Sequence, residues 1–197
     1  MSTDTITVLL IILILILSYR MYYNSEYFQL KCIVSTIDGE KYCVRDTSKI
    51  KESADKLALV NENLKSIIKY CHEKYPDNDL VKRMKKGFNS TKIMETLPNS
   101  EFTAYSENKG EKIAFCLNKK KNGTQLIDTN TLTYVAIHEL AHIATKNIGH
   151  TPNFWQNFKF LLIQAEKINV YKPINYKTNP QNYCGMTIND NPYYDVK

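Results

Sequence analysis

The chain has 197 residues, 43% hydrophobic and 23% charged, without internal repeats or a long low-complexity linker. These are ordinary globular values that exclude a repeat array and leave room for one domain with a real core. The formal net charge is +6 with pI ≈ 8.9, and the mean hydropathy of -0.39, despite an apolar head, marks the remainder as soluble.

From the amino terminus, Ile6 to Leu17 is apolar throughout apart from Thr7. Ser18, Tyr19, Met21, Tyr22 and Tyr23 extend it through an aromatic, interfacial zone in which Arg20 can snorkel. Thr5 to Tyr23 is long enough to span a bilayer with little tilt. The head Met-Ser-Thr-Asp-Thr carries no Lys or Arg and no Ala-x-Ala-like site follows, so an uncleaved anchor over residues 1–24 is expected rather than a signal peptide. Arg20 and Lys31 follow the segment and no cation precedes it. The positive-inside rule then puts the domain, residues 25–197, in the cytosol.

Residues 27–45 read as a small hairpin turned at Asp38-Gly39. In that register Cys43 faces Val34, and Cys32 is only its diagonal neighbour, a poor distance for a disulfide. The five cysteines are an odd number without a CxxC pair, so reduced cysteines are expected. The sequons at Asn89 and Asn122 point the other way, but such matches arise by chance in an Asn-rich chain.

Ile50, Leu57, Leu64 and Cys71 recur every seven residues with Ala54, Val60, Ile67 and Ile68 beside them. That spacing predicts an amphipathic helix from about Ser48 to Lys74, packed on the domain and ended by Pro76. A coiled-coil seam would need more heptads and would not place Asn61 in it. Lys82, Arg83, Lys85 and Lys86 form one basic cluster and Lys119 to Lys121 another. Solvated faces are the default for such runs, with anionic lipid or nucleic acid as the alternatives. Thr103 to Ser106 and Ile113 to Leu117 read as two strands joined by Glu107-Asn108-Lys109-Gly110. The outer strand of this hairpin either offers its backbone to an extended peptide or merely covers the next helix.

That helix begins near Asp128, Thr129 or Asn130, any of which can cap it, and buries Leu132, Val135, Ala136, Leu140 and Ile143. It carries His138-Glu139-Leu140-Ala141-His142. His-Glu-x-x-His on a helix sets two imidazoles at i and i+4 on one face, the placement two ligands need to hold one Zn²⁺. Lys146, Asn147 and Gly149 signal the stop. His150 follows, and a second helix starts at Thr151-Pro152 with Phe154, Phe158, Leu161, Leu162, Ala165 and Ile168 as its buried stripe. The metzincin pattern would need Gly at Thr145 and His at Ile148, so it fails. The third ligand is then His150, near and at a bend, or Glu166 as in a gluzincin-like site. Three protein ligands leave the fourth position to water, with Glu139 as general base. His72, the fourth histidine, reads as a partly exposed helix residue. Tyr171, Tyr176 and Tyr183 are candidate oxyanion donors that read as surface residues, and Trp155 reads as a core anchor.

The segment His138 to His142, with Gly149-His150-Thr151-Pro152-Asn153-Phe154-Trp155, resembles the WLM and SprT-like group of zincin metallopeptidases over about residues 100 to 170. The resemblance implies an α+β, zincin-like minimal metallopeptidase domain, with an active-site helix, a small antiparallel sheet and packing helices. It further implies zinc held by His138, His142 and His150, with Glu139 as the base. The gap from His142 to His150 departs from the shorter spacing common in the WLM group. The tail around Tyr183-Cys184-Gly185-Met186 and Asn191-Pro192-Tyr193-Tyr194 is similar to membrane-anchored members carried by large DNA viruses. The expected function is a membrane-tethered zinc peptidase acting on protein or peptide. The rivals are a catalytically idle membrane or virion scaffold and a DNA-associated protease, the latter set against by the anchor.

Overall fold

The computed structural model describes residues 3–195; residues 1, 2, 196 and 197 of the expected anchor and domain lie outside them. Helix α1, Thr3–Asn24, buries no side chain against the rest of the chain. Its 22 residues with mean hydropathy 2.1 make it long and apolar enough to cross a membrane, since a helix rises about 1.5 Å per residue against a hydrocarbon core of about 30 Å. Thr7, the polar interruption, returns its hydroxyl to the carbonyl of Thr3 at 3.0 Å. A single turn, α2 (Glu26–Gln29), leads directly into strand β1, Leu30–Val34.

Strands β1 and β2 (Lys41–Arg45) pair antiparallel with Cys32 opposite Cys43. This corrects the expected register by two residues. The turn is not the two-residue Asp38-Gly39 but the longer loop Ser35 to Glu40, closed by Ser35 N–H to Glu40 O at 2.9 Å. Asp55, on the helix that follows (α3, Ile50–Lys74), holds that loop, accepting from the Ser35 hydroxyl at 2.6 Å and from Thr36 N–H at 2.7 Å. Asp38 instead receives the Tyr42 hydroxyl at 2.6 Å.

With Cys32 facing Cys43, the expectation of reduced cysteines is overturned. Cys32–Cys43 and Cys116–Cys184 are disulfides, and Cys71 is free and buried. Burial pushes the Cys71 thiol up to about 12, so it stays protonated and unreactive.

Helix α3, Ile50–Lys74, buries Ala54, Leu57, Val60, Leu64, Ile67 and Cys71, so it packs on the domain as its spacing predicts. Asn61 is buried with them because its amide donates to the Tyr42 hydroxyl at 2.8 Å and to Ser90 O at 3.0 Å. Helix α4, Asp79–Gly87, is capped by Asn78, which accepts from Leu80 N–H. Strand β3, Ile93–Glu95, is missing from the sequence reading. Strands β4 (Ala104–Glu107) and β5 (Lys112–Phe115) form the expected hairpin.

The two hairpins make one sheet, ordered β1-β2-β3-β5-β4. It is mixed rather than antiparallel, because β3 pairs in parallel with both β2 and β5. The crossover through α3 and α4 returns the chain in its original direction, which only parallel pairing accommodates. The inner face carries Tyr42, Val44, Ile93, Ile113 and Phe115, all buried. Against it and against α3 lies helix α5, Thr129–Ala144, flanked by α6, Pro152–Lys167. A buried ion pair, Arg45 Nε to Glu95 Oε1 at 3.3 Å, ties β2 to β3. Arg45 also donates to Thr96 O at 2.9 Å and to Lys121 O at 2.6 Å. A small hairpin of β6 (Gln181–Tyr183) and β7 (Met186–Ile188) follows, then a 3-10 turn at Pro192–Tyr194.

Candidate metal centre

Helix α5 starts where Asp128 accepts from Thr131 N–H at 2.8 Å. Leu132, Val135, Ala136, Leu140 and Ile143 all go into the core, so rotation of the helix is fixed and His138 and His142 are left on the opposite, half-buried face. The helix stops at Thr145, whose hydroxyl donates back to Ala141 O at 2.7 Å and accepts from the Asn157 amide at 2.8 Å. Two cations cover the exposed carbonyls of the last turn. Lys109 Nζ reaches His142 O at 3.0 Å, Thr145 O at 2.8 Å and Asn147 O at 3.3 Å, and Arg83 Nε reaches Ala144 O at 2.7 Å. This is the helix end where positive charge is favoured.

Lys109 can reach because the β4–β5 turn lies against the end of α4. A Cβ on Gly87 would come within 2.4 Å of Lys109 O, and one on Gly110 within 2.5 Å of Gly87 O. The chain then reverses through Gly149, at φ +83, and Thr151 caps α6 by accepting from Phe154 N–H.

The result is convergence of three rings. His138 Nε2 lies 3.2 Å from His142 Nε2 and 3.0 Å from His150 Nε2. Aromatic neighbours hold the rings: Phe154 stacks on His142 with centroids 4.2 Å apart, and Trp155 stacks on His150 at 5.5 Å. Burial, with the neighbouring imidazoles, lowers His138 to about 3 and His142 to about 4. His138 and His142 are therefore neutral at physiological pH, as nitrogen ligands must be. In a tetrahedral site with Zn–N near 2.0–2.1 Å, ligand nitrogens stand roughly 3.3 Å apart. The two spacings from His138 match that value, all three candidate ligand atoms lie within 4.8 Å of one another, and three imidazoles are a donor set that suits zinc.

Glu139 is buried yet lines the same cleft. Burial raises its carboxyl to about 7, against the lowering effect of a hydrogen bond with the Ser106 side chain. The cleft has a volume of about 850 Å³ and is walled by β4, α5, the His150 corner and the β6–β7 hairpin.

Several sequence expectations are corrected here. Trp155 is not a core anchor: it is 43% exposed and faces the cleft. The third ring of the cluster, His150, stacks on its indole at the cleft side. Tyr171, Tyr176 and Tyr183 are buried rather than on the surface. The Tyr183 hydroxyl donates to Thr103 O at 2.9 Å, tying the β6–β7 hairpin to the strand side of the cleft. The Tyr171 hydroxyl accepts from Asn191 at 2.9 Å, in the core. Glu166 is not among the clustered groups, and its carboxylate accepts from the Tyr193 hydroxyl at 2.6 Å. His72 is on α3, beside Lys85 Nζ at 2.7 Å. Sequence reasoning missed Ser106 and Lys109, and a predicted hairpin immediately before the motif helix was the available signal for both.

A family model described as WLM domain matches residues 78–194. An uncharacterized protein of Acanthamoeba polyphaga mimivirus is 31% identical over 162 residues, covering 80% of this chain and 82% of the relative. Uncharacterized proteins of Invertebrate iridescent virus 6 and Invertebrate iridescent virus 3 are 36% and 35% identical, over 38% and 50% of this chain and 41% and 57% of their own lengths. No solved structure matches.

Proposed function

This chain belongs to the WLM domain family, with relatives in large DNA viruses, and on that premise we propose that it is a zinc-dependent peptidase of zincin type, tethered to a membrane by α1. The observation that carries the proposal is the convergence of His138, His142 and His150 in one cleft with the carboxylate of Glu139. Those three imidazoles would hold the metal and leave a fourth position open. Bound there, zinc supplies a Lewis acid that polarises a carbonyl and brings the pKa of water to about 7.

Glu139 acts as the base, taking a proton from water and delivering it to the leaving nitrogen, a role suited to a carboxyl raised to about 7. Ser106, which also lines the cleft, hydrogen-bonds that carboxylate. Strand β4 ends the sheet order, so its outer edge is open to an extended peptide by strand addition. Digestion of a peptide library by the full chain, with and without chelator, tests the reading; zinc-independent cleavage or none at all rejects it.

A catalytically idle scaffold is the weaker alternative, since a purely structural site has no use for Glu139 in its cleft. A nucleic-acid role draws little support from the first basic cluster. Arg83 is spent on Ala144 O, Lys85 on His72 and Lys82 on Asp77 at 3.8 Å.

For the orientation, we propose that the domain occupies an oxidising compartment rather than the cytosol. Two disulfides support this. Against the cytosol, too, Lys31 lies in β1 with an ion pair to Asp46 at 3.9 Å, which leaves the flanking positive charge to Arg20.

A further inference from the structure

We propose that the cleft is fixed against the bilayer surface and takes as substrate the segment of a membrane-inserted protein that lies immediately next to the bilayer. This rests on the peptidase reading and on α1 as a membrane span.

The connection between span and domain has no slack. Helix α1 ends at Asn24, Ser25 is the one intervening residue, α2 occupies Glu26–Gln29 and β1 begins at Leu30. The α2 turn is tied back, with Gln29 Nε2 donating to Tyr22 O at 3.3 Å and Gln29 N–H to Ser25 O at 3.1 Å. The base of the span is then clamped to the domain. Asn99 donates to Tyr23 O at 3.0 Å and to the Asn24 side chain. Glu26 Oε1 meets Lys112 Nζ at 2.8 Å, and the Tyr105 hydroxyl donates to the same oxygen at 3.5 Å.

The clamp and the cleft share one stretch of chain. Asn99 and Tyr105 grip the tether, while Phe102 to Ser106 form a wall of the cleft. Three to six residues of chain span at most about 10–20 Å, so the Phe102 to Ser106 wall of the cleft lies within about 20 Å of the residues that grip the end of the span. The exposed side chains at this end suit an interface: Tyr27 is 85% exposed, Phe28 56% and Phe102 62%. Among the described residues, no side chain of α1 is buried against the domain. The cleft also exposes Ile148, Trp155 and Met186, apolar contacts suited to the residues that flank a membrane span.

The test uses the full chain in lipid vesicles. Trp155 is the chain's one tryptophan and stands at the cleft, so energy transfer from it to a dansyl-headgroup lipid reports the cleft-to-bilayer distance without any cleavage. A Gly/Ser insert of about 12 residues between Asn24 and Ser25, combined with Asn99→Ala to release Tyr23 and Asn24, adds roughly 20 Å of reach and leaves the catalytic side chains untouched. The proposal expects strong transfer in the parent and loss of most of it in the insert variant, with cleavage of a soluble peptide unchanged. Co-reconstituted single-span substrates, bearing a library segment either next to the span or behind a long Gly/Ser spacer, should be cut by the parent only when the segment adjoins the span. Equal transfer in both variants, or equal cutting of near and far segments, overturns this proposal and leaves the peptidase standing. Strong, insert-sensitive transfer without cleavage of any polypeptide overturns the peptidase reading and the substrate assignment with it.

Discussion

His138 and His150 bring their Nε2 atoms to 3.0 Å of each other although twelve positions separate them in the chain. The helix supplies the first ring and a reversal of direction supplies the second. What sets the reversal lies elsewhere: Lys109 and Arg83 hold the last carbonyls of α5, and Asn157 holds the Thr145 hydroxyl. The histidine cluster is therefore positioned by the β4–β5 turn and by α4 as much as by its own helix.

On the peptidase reading the role of Glu139 is separable from metal binding, because its carboxylate lines the cleft beside the three rings without being one of the clustered ligands. Glu139→Gln should bind zinc as the parent does and lose about 10²- to 10⁴-fold in peptide hydrolysis. Metal analysis and a fluorogenic peptide assay on the same sample check this, and full activity in the variant removes Glu139 from the mechanism.

Lys109 is a positioning residue. Lys109→Met removes the ammonium from three carbonyls at the end of α5. Stability should fall by about 1 kcal/mol, and zinc affinity by roughly tenfold as the His150 corner loosens. Competition with a zinc-sensitive dye measures the affinity. An unchanged value would mean that α6 and Gly149 set the corner by themselves.

Much of the site was legible in the sequence because it is local. Caps, apolar spacing and a His-Glu-x-x-His helix followed by Gly149-His150 are written within about twenty-five consecutive residues, and periodicity reads such stretches well. The parts that failed depend on distant partners. The β1–β2 register turned on Asp55, twenty residues from Ser35, and the turn sequence alone could not announce it. The second disulfide joins cysteines 68 positions apart. Strand β3 has three residues, too few for an alternating pattern to stand out. Trp155 looked like core because α6 is otherwise so apolar, yet it begins the helix at the cleft side.

The two disulfides should differ in worth. Cys116–Cys184 closes 68 residues and Cys32–Cys43 closes 11. By loop entropy the first contributes about 4 kcal/mol and the second about 3 kcal/mol. Cys184→Ser should therefore lower the urea midpoint more than Cys32→Ser. It should also slow cleavage, because Tyr183 and Met186 to Asp190 line the cleft. Equal midpoints and unchanged cleavage would show that Tyr183 and its bond to Thr103 hold the hairpin unaided.

An oxidising compartment leaves a chemical record. Asn122, exposed on a loop after β5 and within Asn122-Gly123-Thr124, should carry a glycan when the full chain is made in cells with a secretory pathway, and the domain should resist protease in sealed microsomes. Loss of a mass shift in Asn122→Gln confirms the site. A domain digested in intact microsomes and bearing no glycan restores the cytosolic orientation.

The most direct measurement of the central claim is the zinc content of the purified full chain compared with its His138→Ala, His150→Ala and Glu166→Ala variants, each assayed in parallel on a peptide library. Three imidazoles sharing one ion predict one zinc per parent chain, retained by Glu166→Ala and largely lost from both histidine variants together with chelator-sensitive cleavage. A parent that binds no zinc, or a His150→Ala variant that keeps both metal and activity while Glu166→Ala loses them, would contradict it.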